Sequence, residues 1–162
     1  MTEVDKDTTH LLEEEGEVAA DYLEEFLDIA DLDGDIDIDI RNGRASLEVL
    51  AAPGTLTQLQ GVDGEVLDAL QNLTRLAVQA KTGERSRLML DIAGFRAGQR
   101  ESILTATTAA IEQVKLTQQP VEMEPANAFE RKVVHDAVAQ AGLHSDSHGV
   151  EPNRYVVIHV GQ

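Results

Sequence analysis

The sequence has no cysteine, which excludes a disulfide framework and any thiolate-held metal. No apolar run approaches the roughly twenty residues that a membrane-spanning helix needs. The opening Met1-Thr2-Glu3-Val4-Asp5 is acidic and lacks the basic start and apolar centre of a secretion signal. A cytoplasmic protein without a membrane partner is therefore expected. Catalytic signatures are missing too: no Gly-x-Ser-x-Gly, no P-loop, no nucleophile that spacing sets beside a base. The expectation is no enzyme, no catalytic residue and no cofactor. Basic residues are scarce, 13 Lys and Arg against 30 Asp and Glu, for a net charge of −17.

That charge is unevenly spread. Residues 1–80 hold 20 acidic and 4 basic side chains, net −16, and residues 81–162 hold 10 and 9, net −1. A polyanion repels another polyanion, so long-range steering of nucleic acid would be poor. Affinity depends on phosphates neutralised locally, however, and the second half has cations enough for a patch. At 162 residues the chain suits one domain or two small ones with a sizeable core.

Residues 1–9 are polar and acidic and are expected to fray. From His10 to about Ala30, Leu11, Leu12, Val18, Ala19, Tyr22, Leu23, Phe26, Leu27 and Ile29 recur as on an amphipathic helix, interrupted or restarted near Gly16. Asp31 to Ile40 alternates acidic and apolar residues. Read as an EF-hand it places Ile36 where Gly belongs and Asn42 where Glu belongs. A turn at Asp33-Gly34 and a strand with Ile36, Ile38 and Ile40 inward is the better reading. Asn42-Gly43 marks a hairpin turn, with Ala45, Leu47 and Val49 on one face of the returning strand.

After Pro53-Gly54 the spacing predicts a short helix over residues 55–60, then Gly61-Val62-Asp63-Gly64. A longer helix over 65–81 buries Val66, Leu67, Leu70, Leu73, Leu76, Ala77 and Ala80, and Gly83 ends it. Residues 85–92 alternate as a strand. Gly94 and Gly98 mark a boundary. A helix follows over 96–118, with Arg96 and Arg100 four apart on its surface. Then come a short edge strand over 121–124, a helix to Ala141, a polar loop His144-Ser145-Asp146-Ser147-His148-Gly149 and a final strand over 153–160.

The helix before Ala141 starts with Asn127 as N-cap and Glu130 three residues on, a loose capping box. Arg131 and His135 are four apart and share one face. A guanidinium and an imidazole side by side can meet a phosphate by charge-assisted hydrogen bonds.

Arg131-Lys132-Val133-Val134-His135, followed by Glu151-Pro152-Asn153-Arg154-Tyr155-Val156-Val157-Ile158, resembles an R-three-H domain, named for an Arg and a His three residues apart. The upstream order and its Gly-x-x-Gly resemble a type II KH domain. Together, over residues 10–160, they resemble the bacterial Jag or KhpB family. The resemblance implies an α+β fold of two small domains. These are a KH domain (α-β-β-α-α-β) over 10–93, behind a flexible acidic 1–9, and an R-three-H domain (α-β-α-β) over 94–162. The further N-terminal domain of some relatives is not expected.

In function the resemblance implies an RNA chaperone or post-transcriptional regulator that binds single-stranded RNA or DNA and bears on cell elongation and division. A second small KH protein is the implied partner, and the acidic first half with its altered loop leaves a homodimer open as well. Arg131 and His135 would contact the strand, with Lys132 and Arg154 as phosphate-contacting neighbours and Gly61 and Gly64 letting a backbone approach. Family members usually carry basic residues between the two glycines. Here Val62 and Asp63 stand there, and a carboxylate aimed at a phosphate costs about 1 kcal/mol at surface dielectric. The loop is therefore expected to bind weakly, and the alternative is a protein-interaction or dimerisation module. His144, His148 and His159 lack an HExxH or a cysteine partner, so they are expected to be solvated and no metal ligand is assigned.

Overall fold

The computed structural model describes residues 3–161. It is an α+β protein whose chain divides into two compact units, Met1–Arg96 and Ala97–Gln162.

In the first unit, helix α1 (Glu3–Ile29) buries Ala19, Ala20, Leu23 and Leu27 at helical spacing. It differs from expectation at two points. The helix already runs from Glu3, through residues expected to fray; Met1 and Thr2 lie outside the described residues. Nor does Gly16 interrupt it. Gly16 is buried, and a Cβ there would stand 2.6 Å from Ile38 Cγ2, so the missing side chain lets helix and strand approach.

Strands β1 (Asp35–Arg41) and β2 (Arg44–Leu50) pair antiparallel from Asp35↔Leu50 to Arg41↔Arg44. Asn42 and Gly43 turn between them with φ of 53° and 67°, the positive values that a tight hairpin turn requires. Ala45, Leu47 and Val49 are buried on β2. The isoleucines of β1 are only partly covered, since β1 is an outer strand; Ile38 is 39 % exposed.

Helix α2 (Thr57–Gln60) and a 3-10 turn (Val62–Gly64) lead into α3 (Glu65–Thr82) and then β3 (Met89–Ile92), which runs parallel to β2. β3 is shorter than expected. Over 85–88 side chains hold the chain instead of a ladder: Leu88 N–H donates to Ser86 Oγ, and the Ser86 hydroxyl to Glu15.

The buried face of α3 is also rotated from the expected one. Leu67 and Leu70 are buried, but so are Gln71, Thr74 and Val78, while Leu73 and Leu76 are 51 % and 60 % exposed. Apolar periodicity misses such a face because two of its inward positions are polar. Both are satisfied: Thr74 Oγ1 donates to Leu70 O at 2.8 Å, and Gln71 Oε1 accepts from Leu90 N–H at 3.0 Å.

The second unit follows from α4 (Phe95–Thr117), whose first turn holds the division between units. It continues with β4 (Val121–Glu122), α5 (Ala128–Gln140), β5 (His144–His148) and β6 (Tyr155–His159), in an antiparallel sheet of order β4-β6-β5. Ala110, Ile111 and Val114 of α4, Val134 and Val138 of α5, and Val156 and Ile158 of β6 form its core.

One strand exceeds the expected α-β-α-β. The stretch read as a polar loop is β5: His-Ser-Asp-Ser-His alternates with period two but has no apolar member to reveal it. At the start of α5 the capping box is complete. Glu130 N–H donates to Asn127 Oδ1 and Asn127 N–H to Glu130 Oε2, each at 2.9 Å.

Gly16→Val should place branched carbons against Ile38 and cost roughly 1–3 kcal/mol, the usual range for overpacking. Ile38→Ala in the same chain should recover part of that loss. A double-mutant cycle by urea denaturation measures both; additive effects would show that the two residues do not touch.

Candidate nucleic-acid interface

The capping box fixes where α5 begins, and burial of Val133, Val134 and Val138 sets its rotation and thereby the direction of Arg131 and His135. Arg131 is 8 % exposed. Its Nη1 donates to Ala126 O at 2.6 Å, and its Nη2 lies 2.7 Å from Glu151 Oε1. Ala126 N–H in turn donates to Arg154 O at 3.0 Å. The guanidinium thus ties the segment before α5 to the segment between β5 and β6.

His135 is half-buried, with Nδ1 2.7 Å from Ser145 Oγ and Nε2 2.9 Å from Ser147 Oγ. A neutral imidazole has one donor and one acceptor nitrogen, and two serine hydroxyls serve both. The sequence predicts a guanidinium and an imidazole open to a phosphate. In the structure both heads are engaged within the protein. Ser145, Ser147 and Glu151 were not anticipated, and the alternation within β5 was the signal that could have found the serines.

Exposed cations lie nearby on the same unit. Lys132 projects into solvent and its Nζ donates to Asp136 Oδ2 at 2.9 Å. The Lys132 hydrogen bond first, and after it the charges of Lys132 and Arg100, hold the Asp136 carboxyl below its ordinary range against the opposing effect of desolvation. Arg100 and Lys132 therefore flank one carboxylate, two cations against one anion on an acidic chain. Arg154 is exposed just ahead of β6.

In the first unit the Gly-x-x-Gly loop is occupied by the protein's own side chains. Val62 N–H donates to Glu65 Oε1 at 2.9 Å, so a carboxylate already takes an amide that a phosphate oxygen would want. A Cβ on Gly61 would meet Val66 and Glu65 side-chain atoms at 2.7–2.9 Å, and one on Gly64 would meet the Phe95 ring at 2.8 Å. Both glycines make room for neighbouring side chains. Asp63 is exposed between them.

The outer edge of β3 is closed in the same manner. Leu88 O accepts from Arg75 Nε at 2.8 Å, Leu90 O from Arg96 Nε at 2.8 Å, and Ile92 O from Gln60 Nε2 at 3.0 Å. Gln71 takes the Leu90 N–H, and Arg96 also pairs with Asp68 at 2.9 Å. Burial, then the charges of Arg44, Arg96 and Arg85, push the Arg75 guanidinium below its ordinary range, with Glu15 opposing. Arg96, read from sequence as a solvated partner of Arg100, is thus half-buried and structural.

The three histidines read as solvated do not lie apart. His144, Asp146 and His148 of β5 and His159 of β6 are close together in the second unit. Spacing in sequence could not show this, because strand pairing brings His159 to His144.

Residues 101–160 match the family model of the R-three-H domain. The chain is similar to the RNA-binding protein KhpB of Clostridium symbiosum, 29 % identical over 141 residues, covering 86 % of this chain and 64 % of that protein. It is similar also to KhpB of Bacillus subtilis strain 168, 26 % identical over 128 residues, covering 77 % and 62 %. A third similarity is to KhpB of Lactiplantibacillus plantarum, 26 % identical over 139 residues, covering 85 % and 42 %. The chain thus spans less than two thirds of the length of each of these relatives. Among the described residues no helix is long and apolar enough to cross a membrane.

Removing the Arg131 head should strand the Ala126 carbonyl. Arg131→Ala is expected to lower unfolding free energy by roughly 1–3 kcal/mol. Glu151→Ala should cost less than about 1 kcal/mol, because Glu151 is 58 % exposed and its pairing is screened. Urea denaturation of both variants checks the ranking; equal losses would contradict it.

Proposed function

We propose that this chain is a non-enzymatic, cytoplasmic protein that binds single-stranded RNA through its second unit and acts as an RNA chaperone or post-transcriptional regulator. A role in cell elongation and division, as the family resemblance implies, belongs to the same reading. The observation that carries the proposal is the pair of exposed cations Lys132 and Arg154 on the segment that matches the R-three-H domain, with Arg100 just ahead of it. The named activity of the three similar proteins supports it.

The binding division of labour follows from exposure. Lys132 and Arg154 contact phosphate, joined by Arg100. The Lys132–Asp136 pair is exposed on both sides, so it is worth little and a phosphate can replace the carboxylate. Arg131 and His135 position these groups: one ties Ala126 to Glu151, the other seats α5 on β5. Direct contact of either head with the strand would need its present partners displaced. Gly61 and Gly64 belong to a KH-type unit over residues 10–93 whose loop contributes weakly. Asp63 repels a phosphate there, and the Glu65 carboxylate competes for Val62 N–H.

A second reading, docking of the first unit on a second small KH protein or on another copy of this chain, is favoured by exposed Leu73 and Leu76 on α3. Analytical ultracentrifugation separates it from the first. Self-association or complex formation abolished by Leu73→Glu, without RNA binding by any strand tested, would replace the RNA reading.

RNA binding itself is tested by fluorescence anisotropy with a mixed-sequence single-stranded oligonucleotide across a salt series. Lys132→Ala and Arg154→Ala should each weaken binding for all sequences and reduce the slope of log K against log salt by about 0.7. Slopes unchanged in both would remove these residues from the interface. Asp63→Lys should raise affinity; an unaltered value would mean that the loop stays away from the strand.

A further inference from the structure

We propose that Asp146, His148 and His159, with His144 beside them, form a binding site for a divalent ion of the zinc class. Alternation along β5 puts His144, Asp146 and His148 on one face, and the β5–β6 register sets His159 opposite His144. Asp146 is the hub: Oδ2 lies 3.2 Å from His159 Nε2, and Oδ1 lies 3.3 Å from His144 Nε2. One ligand atom from each of Asp146, His148 and His159 falls within 4.8 Å of the others.

Ligands about 2.0–2.1 Å from a tetrahedral ion stand about 3.3–3.4 Å apart. The His159–Asp146 separation already has nearly that length. Rotation of His148, which is exposed and stacks loosely on Tyr155 with ring centroids 6.1 Å apart, closes the remainder.

A second observation points to a ligand. His159 Nε2 is shielded from solvent and makes no hydrogen bond; Asp146 Oδ2, 3.2 Å away, is a charge partner for it only when the imidazole is protonated. A shielded ring nitrogen without a hydrogen bond is unfavourable when the imidazole is neutral, and a metal ion coordinated by its lone pair would satisfy it. A cavity of about 610 Å³, lined among others by Leu143, His144, Asp146 and His159, opens beside the cluster.

The donor set selects the ion. Imidazole nitrogens with a single carboxylate suit zinc, nickel, cobalt or copper, whereas calcium and magnesium call for oxygen ligands. Three protein ligands at an accessible tetrahedral ion leave the fourth position to water. A bound ion would cross-link β5 to β6 on one face, while Ser145 and Ser147 hold His135 from the other.

Calorimetric titration of ZnCl2 into the chelator-treated full chain tests the site. One ion per chain is expected, with no heat from Mg2+ or Ca2+. Loss of a group that merely orients a ligand typically costs 10–100-fold in metal affinity, so removing a direct ligand by His148→Ala or His159→Ala should weaken Zn2+ binding by at least about tenfold. His10→Ala, on α1, should leave it unchanged. Imidazole NMR of the unaltered chain provides a reading that does not depend on any variant folding: the resonances of His148 and His159 should move before that of His10. Binding indifferent to both substitutions, or movement of His10 at the same zinc concentration, would mean an adventitious ion only and overturn the proposal.

Discussion

A buried guanidinium must be paired, and in this chain Arg131 meets that demand by joining two segments that a backbone hydrogen bond from Ala126 to Arg154 also links. Its hydrogen bond to Ala126 and ion pair with Glu151 join the approach to α5 with the turn between β5 and β6. The capping box just before it fixes the start of the helix, and the two serines of β5 receive His135 one turn later. An Arg and a His four residues apart therefore act first as fasteners. Whatever the unit presents to a ligand is presented by residues that these two hold in place.

The first unit meets its own polar demands in a similar way, through side chains that fold back on the backbone. Glu65 covers the amide of Val62, Phe95 lies over Gly64, and Arg75, Gln71, Arg96 and Gln60 serve β3. A loop and a strand edge that could receive a ligand are both already engaged. This agrees with where the charge sits, net −16 over residues 1–80 against −1 over the remainder. A polyanion would be repelled less by the second unit, where Arg100 and Lys132 flank Asp136.

Much of the architecture was legible because apolar residues kept a clear period. The β1–β2 hairpin, with Asn42-Gly43 at its tip, and the capped α5 follow from local chemistry alone. Elements that bury polar groups were not legible. The inward face of α3 includes Gln71 and Thr74, and β5 has no apolar residue, so periodicity pointed to the wrong face in one case and to a loop in the other. Site chemistry was harder still. Arg131 and His135 could be found by spacing, but spacing does not say whether a head points to solvent. The grouping of His148 with His159 depends on a strand register that no linear pattern encodes.

The N-terminal sheet has two edges, and they are treated differently. One is β3, plugged by arginine and glutamine heads. The other is β1, where Asp35, Asp37 and Asp39 stand exposed at every second position. An incoming strand would find no vacant carbonyls along the first and a row of like charges along the second. Such a sheet resists growth by stacking further strands, so fibre formation and strand exchange between copies are disfavoured at both ends. Part of the acidity of this chain is thus explained as protection against its own aggregation, with no ligand required.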